Sequence, residues 1–139
     1  MKVAIPPFTE AIRNGAPAIM VSNATVPGLA SYPASLSPAA ISRELVQTLG
    51  FHGLILTDSL SAGAISAGGW TVPQAAVQAL VAGADMVLFG EASSPSATNA
   101  ETNQVASAIV YAVVHNHLAR SRLMSAATAV LSSRHEVCR

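Results

Sequence analysis

Short apolar runs alternate with amphipathic stretches along the chain. Three segments share one order of events, an amphipathic stretch, a glycine, an apolar run and then polar residues, and these segments are 8–23, 41–59 and 77–91. The glycines Gly15, Gly50 and Gly83 lie about 35 residues apart, which is the length of one strand–helix–strand unit. The pattern therefore predicts strands that alternate with helices.

The apolar runs predict three parallel strands, at 18–22, 54–57 and 86–89. Each run is apolar at successive positions, which is typical of a parallel sheet covered by helices on both faces. A first helix is predicted after Ser37 and Pro38, with Gly50 as its left-handed C-cap. Its apolar face comprises Ile41, Leu45 and Leu49.

Capping signals also delimit the later helices. Thr71 and Pro73 predict the start of a helix that ends at Gly83, with Val77, Leu80 and Val81 as its apolar stripe. Residues 90–102 are rich in Ser, Ala, Asn and Pro and predict a loop. A helix over 103–117 then presents Val105, Ile109 and Val113 on one side. A last helix over 120–133 is expected to bury Leu123, Ala127 and Leu131, before a frayed tail at 134–139.

Composition narrows the possible partners. Hydrophobic residues make up 51% of the chain and charged residues only 10%, with seven basic and seven acidic side chains. This balance gives no electrostatic footprint for nucleic acid or an anionic membrane. No apolar run approaches the roughly 18 residues of a spanning helix, and the start of the chain does not resemble a secretory signal. We therefore expect a soluble protein without nucleic-acid or membrane partners, in a compartment that the sequence does not fix.

Three strand–helix units are too few for a closed barrel, which takes about 250 residues. An open sheet of three strands would leave two edges and much helix surface uncovered. The chain is therefore predicted to be part of a barrel or to complete itself by pairing with another chain. A small open α/β domain for a different ligand is the remaining alternative, and it is disfavoured because no phosphate or metal motif is present.

The two aspartates occupy opposite ends of their predicted strands. Asp58 follows the second strand at its carboxyl end, where α/β folds place catalytic groups, although an N-cap for the next turn is the alternative. Asp85 precedes the third strand, which indicates a structural role. Asn23 follows the first strand and is expected either to bind a polar ligand beside Asp58 or to serve as a turn residue.

The remaining polar residues predict no metal or cofactor. His115 and His117 are two positions apart on a helix, so they point to different sides and are poorly placed to share a metal. No serine has a histidine predicted on its face, which argues against a Ser-His-Asp arrangement. The single cysteine, Cys138, cannot form an internal disulfide.

The segment Gly-Phe-His-Gly-Leu-Ile-Leu-Thr-Asp-Ser-Leu-Ser at 50–61 resembles the nucleophile segment of glycoside hydrolase family 3, especially its bacterial β-N-acetylglucosaminidase branch. Segment 7–22 resembles the family's sequence just before the nucleophile strand. Segment 33–37 resembles the family's sequence at the entry to the helix that precedes this strand. Segments 79–86 and 122–131 resemble the end of the barrel and its closing helix. Nearly the whole chain is covered by the resemblance.

This resemblance implies a partial (β/α)8 TIM barrel, consisting of the last three strand–helix units plus closing helices, with 1–139 as the C-terminal part of the domain. Asp58 then matches the nucleophile of a retaining glycosidase, kept ionised by the hydroxyls of Thr57 and Ser59 and by backbone N–H groups. The implied substrate is a carbohydrate, either N-acetylglucosamine-containing or a β-glucoside, and no cofactor is implied. The full-length family is expected in the bacterial cytoplasm or cell envelope.

Two positions depart from the family pattern and bear on sugar specificity. Asn23 stands where related sequences commonly have His, and Ala62 stands where the glucosaminidases often have Met, so both are candidate substrate-binding positions. The family's acid/base His-Asp pair and its sugar-binding Lys-His and Arg match no residue of this chain. We therefore predict that the chain alone does not turn over. A noncatalytic remnant, or a partner subunit of a split barrel, is the alternative.

Overall fold

The computed structural model describes residues 5–90 and 94–137. Within them, strands β1 to β3 form one parallel sheet, as the alternating pattern predicts, and their order in the sheet is β1-β2-β3. The elements in chain order are α1 Pro6–Arg13, β1 Ala18–Val21, a 3₁₀ turn Ala34–Leu36, a π-helix Ala39–Thr48, β2 Leu54–Ser59, α2 Gly63–Ala67, α3 Val72–Ala82, β3 Met86–Leu88, α4 Pro95–Val114 and α5 Arg120–Val137.

Glycines turn the chain from helix to strand. Gly15, Gly50 and Gly83 all have left-handed backbone conformations, with φ of 76°, 71° and 117°. Gly53 is required for a different reason. A Cβ atom at this position would lie 2.6 Å from the carbonyl oxygen of Pro17, which itself accepts a hydrogen bond from Leu54 N–H at 3.0 Å. The absence of a side chain at Gly53 thus lets the start of β2 approach the chain leading into β1.

The helix after Ser37 differs in type from the predicted α-helix. Its backbone forms π-type bonds, in which Arg43 N–H donates to Pro38 O at 3.0 Å and Leu49 N–H donates to Glu44 O at 2.9 Å. The Ser37 hydroxyl still accepts from Ala40 N–H at 3.3 Å, as a capping serine does. The predicted apolar face is retained, because Ile41 and Leu45 are buried and Leu49 is half-buried.

Helix α3 begins as predicted but packs through different residues. Thr71 and Gln74 form a capping box, in which the Thr71 hydroxyl accepts from Gln74 N–H and the Gln74 side chain accepts from Thr71 N–H. The predicted burial of Val81 is wrong, since 39% of this residue is exposed. Small side chains bring α3 close to its neighbours, and its buried positions are Ala75, Ala76, Ala79, Leu80 and Ala82.

The C-terminal region is more helical than predicted. Helix α4 begins at Pro95 instead of residue 103, and the Ser94 hydroxyl caps it by accepting from Ala97 N–H at 3.2 Å. The loop prediction for 95–102 is therefore wrong, while residues 91–93 lie outside the described residues. The predicted inner side of α4 is confirmed, because Val105 is buried and Ile109 and Val113 are half-buried.

Helix α5 also departs from the prediction. It continues to Val137, so the frayed tail predicted from residue 134 is wrong as far as 137, and residues 138–139 lie outside the described residues. Its buried residue is Ala126, with Leu123 half-buried, whereas Ala127 and Leu131 are exposed. The inner side of α5 therefore includes Leu123, Ala126 and the half-buried Val130.

Helices cover only one face of the sheet. Ile19 and Ile55 are buried among them, whereas Met20 and Met86, on the opposite face, are 49% and 44% exposed. The predicted cover on both faces is therefore wrong for the described residues. Met20 pairs with Leu56 and Leu56 pairs with Met86, so the three side chains form one row across the sheet. We call this apolar feature, in which the half-buried Leu56 lies between the two exposed methionines, the Met20–Leu56–Met86 row.

Candidate active site

Asp58 lies at the carboxyl end of β2, as predicted. Two backbone groups donate to its half-buried carboxylate: Ser59 N–H to Oδ1 at 2.7 Å and Asn23 N–H to Oδ2 at 3.4 Å. The alternative of an N-cap is wrong, because the next helix, α2, has Ala62 at its N-cap position. The carboxylate is therefore held by N–H groups from β2 and from the residue that follows β1.

A bulge shapes the end of β2. Leu56 pairs with Met86 and Ser59 pairs with Leu88, so β2 has one residue more than β3 in this interval. Leu88 N–H donates to the hydroxyl of the fully buried Thr57 at 3.0 Å, in place of a strand carbonyl. The Thr57 hydroxyl is thus bound to β3, and the hydrogen-bond donors to Asp58 are backbone groups instead of the expected hydroxyls.

Asn23 lies beside Asp58, as predicted for residues that follow adjacent parallel strands. Its side chain is engaged within the protein: Nδ2 donates to Ser59 O at 2.6 Å, and Oδ1 accepts from the Ser35 hydroxyl at 2.5 Å. Only 5% of Asn23 is exposed. The structure therefore gives Asn23 internal partners, and its role in binding substrate stays a prediction.

Ala62 and Ser35 are two further residues around Asp58 and Asn23. Ala62, half-buried in extended conformation before α2, accepts from Ile65 N–H at 2.9 Å through its carbonyl, and its part in sugar binding stays a prediction. Ser35, which sequence reasoning did not single out, contacts Asn23 from the 3₁₀ turn and is fully buried. A serine flanked by an apolar Pro33-Ala34 and Leu36 was the signal available in the sequence.

Asp85 belongs to the opposite end of the sheet and is structural, as predicted. Its Oδ2 accepts from Ile55 N–H at 3.1 Å, and its Oδ1 accepts from Arg122 at 2.5 Å. Ile55 precedes Asp58 by three positions, or about 10 Å along a strand. Paired carboxylates of retaining glycosidases lie about 5–5.5 Å apart, so Asp85 is not a second catalytic acid for Asp58.

The prediction that His115 and His117 lie on a helix is wrong, because α4 ends at Val114, and both residues lie outside this site. His115 is exposed, stacks on Tyr111 with ring centroids 3.9 Å apart, and its Nδ1 lies 2.9 Å from the Tyr111 carbonyl oxygen. His117 is exposed as well. Across residues 5–90 and 94–137, no three His, Cys, Asp or Glu side chains cluster in a way that would hold a metal ion. In the same residues, no helix has the length and apolar character needed to cross a membrane.

Comparison with known proteins decides the family. The family model described as "Glycosyl hydrolase family 3 N terminal domain" matches residues 1–133. The chain belongs to this family. It is 41% identical over 106 residues to an uncharacterized secreted glycosyl hydrolase of Arthroderma benhamiae, which covers 74% of the chain and 29% of that relative. It is 40% identical over 82 residues to a beta-hexosaminidase of Methylobacillus flagellatus, which covers 59% of the chain and 23% of that relative.

Solved structures of the family share the fold. A glycoside hydrolase family 3 beta-N-acetylglucosaminidase from Paenibacillus sp. superposes with a TM-score of 0.81 at 29% identity, covering 93% of this chain and 24% of that one. A family 3 glycosyl hydrolase from Mycobacterium smegmatis superposes with a TM-score of 0.74 at 31% identity, covering 91% of this chain and 39% of that one. The family 3 chain thus spans well under half the length of each of these relatives.

Proposed function

We propose that Asp58 is the nucleophile of a retaining family 3 glycosidase. The observation that carries the proposal is the position of its carboxylate, at the carboxyl end of β2 with two N–H donors, within the segment that resembles the family's nucleophile motif. Hydrogen bonds from Ser59 and Asn23 stabilise negative charge on the carboxylate. An ionised carboxylate is the form that attacks.

The reaction would proceed in two displacements. A carboxylate oxygen of Asp58 bonds to the anomeric carbon while the bond to the leaving oxygen breaks, and that oxygen takes a proton from a general acid. Water then attacks the anomeric carbon of the glycosyl ester, loses a proton to the same acid/base group and releases Asp58. Asp58 is the only carboxylate in the described residues that belongs to the carboxyl end of a strand. Because the family's acid/base His-Asp pair matches no residue of this chain, we expect the acid/base group to come from outside the described residues.

The substrate class we infer is a β-linked N-acetylglucosaminide. This inference rests on the relatives described as beta-hexosaminidases and on the beta-N-acetylglucosaminidase structure. Asn23 and Ala62 are the positions in this chain that we expect to adjust sugar specificity. The Ala62 methyl occupies less space than the methionine of the glucosaminidase pattern, so Ala62→Met is expected to change KM for N-acetylglucosaminides relative to β-glucosides.

Residues 1–139 would form the C-terminal part of the (β/α)8 domain, consisting of its last three strand–helix units and closing helices. The exposed Met20–Leu56–Met86 row supports this, because a barrel covers the inner face of its strands with side chains from the other strands. General acid catalysis contributes about 10²–10⁴-fold. The chain by itself is therefore expected to be inactive.

A second candidate is a noncatalytic or partner subunit that completes another chain. Besides the exposed row, an apolar cavity of about 190 Å³ lies along the edge strand β1, between Phe8 of α1 and Leu49 beyond the π-helix. Such surfaces suit a partner polypeptide. A monodisperse monomer that unfolds cooperatively would argue strongly against this second candidate.

The deciding experiment uses the beta-hexosaminidase of Methylobacillus flagellatus, in which residues 1–139 of this chain replace the corresponding part of the barrel domain, including the 82 matched residues. Release of the aryl group from an aryl N-acetyl-β-glucosaminide is then measured for the fusion and for Asp58→Asn. Loss of the nucleophile is expected to lower kcat by at least about a thousandfold. Glu10→Gln, the same chemical change at an exposed carboxylate, is the matched control. An Asp58→Asn fusion that keeps more than a tenth of the activity would refute the proposal.

A further inference from the structure

Ser35 and Asn23 form a buried polar connection that ends at Asp58. We propose that Ser35 is a positioning residue, which sets the Asp58 carboxylate through Asn23 and Ser59. The inference rests on the proposed role of Asp58 and extends it to a residue for which neither the sequence pattern nor the comparisons supply a role. The hydroxyl of Ser35, 0% exposed, donates to Asn23 Oδ1 at 2.5 Å.

Chemistry fixes the direction of every bond in the connection. The carbonyl oxygen of Ser59 can only accept, so the amide nitrogen of Asn23 has to face it, at 2.6 Å. The amide oxygen of Asn23 then faces Ser35, and the Ser35 hydroxyl has to donate. A reversed amide would place two acceptors against each other at Ser59. Ser35 therefore holds Asn23 in the one orientation that binds Ser59.

Ser59 connects the Asn23 side chain to the Asp58 carboxylate through two hydrogen bonds. Its carbonyl is held by Asn23, and its N–H donates to Asp58 Oδ1 at 2.7 Å. Asn23 acts a second time through its backbone N–H, which faces Asp58 Oδ2 at 3.4 Å. Asn23 thus positions both carboxylate oxygens: Oδ1 through Ser59, which its side chain holds, and Oδ2 directly through its backbone N–H.

The backbone around Ser35 is fixed independently of its hydroxyl. Ser35 N–H donates to Ser22 O at 3.0 Å, and Ala34 N–H donates to Ala24 O at 3.0 Å. These two bonds join the ends of the loop 24–34, and they involve the residues on either side of Asn23, Ser22 and Ala24. Removal of the Ser35 hydroxyl should therefore leave the loop in place and free the Asn23 amide to turn.

The bulge explains why the end of β2 needs this support. Beyond Leu56 the regular pairing with β3 is interrupted, and Leu88 N–H binds the Thr57 side chain instead of a β2 carbonyl. In the peptide that joins Ser59 to Leu60, the N–H of Leu60 still donates to Leu88 O at 2.8 Å, whereas the Ser59 carbonyl is held by Asn23 from the β1 side. A misplacement of about 1 Å in a catalytic group can cost on the order of 10²-fold in rate.

The test compares Ser35→Ala with Ser37→Ala in the active fusion. Both serines are fully buried, and within residues 5–90 and 94–137 each hydroxyl forms one hydrogen bond, that of Ser37 with Ala40 N–H in the π-helix. Ser35→Ala is expected to lower kcat about ten- to hundredfold with little change in KM, since it displaces the reacting group. Ser37→Ala is expected to keep kcat within about twofold. Equal kcat values for the two variants would overturn the proposal.

A second measurement needs no enzymatic activity. In ¹⁵N-labelled chain, Ser35→Ala should shift the amide signals of Ser59 and the side-chain NH₂ of Asn23 and speed their hydrogen exchange at least about tenfold, whereas Ser37→Ala should not. Unchanged signals would overturn the proposal even if the fusion were inactive. Full activity of Asp58→Asn would instead refute the nucleophile assignment.

A folding defect in Ser35→Ala would be visible as a lost cooperative urea transition. Ser35→Cys then replaces it, because cysteine differs from serine in one atom and its thiol is a weaker donor than the hydroxyl. This variant is expected to unfold at nearly the native urea concentration and to have a kcat several-fold below native. A native kcat together with native Ser59 and Asn23 signals would contradict the positioning role.

Discussion

Arg122 of α5 reaches Asp85 at the amino end of β3, with Nη2 and Oδ1 2.5 Å apart. The same guanidinium donates to the carbonyls of Leu80 and Ala84, and the other oxygen of Asp85 accepts from Ile55 N–H. The C-terminal helix is thereby attached to α3, β3 and β2 through one pair of side chains.

Asp85→Asn should therefore destabilise the fold. It leaves the Arg122 charge without its carboxylate in a site where the two side chains are only 25% and 10% exposed. We expect the free energy of unfolding to fall by about 1–3 kcal/mol, measured by urea denaturation. Glu10→Gln, in the exposed contact with Arg13 at 3.9 Å, should cost under about 0.5 kcal/mol. Similar losses in the two variants would contradict this account.

Gly53→Ala should destabilise the start of β2. The added methyl would lie 2.6 Å from both Pro17 O and the Phe51 ring, so backbone or ring has to move. We expect a loss of about 1–3 kcal/mol in thermal or urea unfolding. Gly63→Ala is the matched control, because its Cβ meets nothing within 4 Å at the start of α2. A Gly53→Ala variant as stable as this control would show that the close approach is dispensable.

Chemical rescue should reveal the stereochemical role of Asp58. In the fusion, Asp58→Gly leaves space beside the anomeric carbon, where azide can attack an activated aryl β-glycoside as the phenolate leaves. One displacement inverts the configuration, so we expect the α-glycosyl azide, identified by NMR, and a recovery of turnover with azide concentration. A β-glycosyl azide would indicate that Asp58 is the acid/base instead.

The Met20–Leu56–Met86 row should govern association with the remainder of a barrel. Changing Met20 and Met86 to Gln removes apolar surface from a face that a partner would bury; full burial of a Met side chain contributes about 1.5–3 kcal/mol, and about half of each residue is exposed here. Calorimetric titration with the upstream barrel segment of the Methylobacillus relative should show binding weakened at least about tenfold. Val114→Gln on α4, 68% exposed and on a helix instead of the sheet, should change it less than twofold. Equal effects would exclude this face as the interface.

The sequence allowed the strands, their parallel orientation and the placement of Asp58 to be predicted because each depends on local signals. Gly50 and Gly83 mark turns, and the apolar run ending in Asp58 marks a strand. The start of α4 was missed because a Ser, Ala and Asn-rich composition resembles a loop, although Ser94 followed by Pro95 is a helix-start signal. Which face of α5 is buried was decided by contacts with α3, which periodicity alone did not resolve.

The support of Asp58 was beyond sequence reasoning for a different reason. Ser35 and Asn23 are 12 positions apart, and Asn23 and Ser59 are 36 apart, so their bonds exist only after the sheet has formed. The sequence also did not show that backbone N–H groups, instead of the Thr57 and Ser59 hydroxyls, donate to Asp58. The bulge in β2 directs the Thr57 hydroxyl to Leu88 N–H, and an apolar run in a sequence gives no sign of an extra residue in one strand.

The two methionines that flank Leu56 would influence how this chain packs against the covering segment that we propose. Unbranched thioether side chains adopt many rotamers and fill irregular gaps, so the surface that they form adjusts to differently shaped covering layers. Upstream segments from several relatives should therefore seat on the same sheet face with similar affinity. The activity of chimeras built from such segments would then depend on how accurately Asp58 is positioned. The packing on the sheet face would accept different upstream segments.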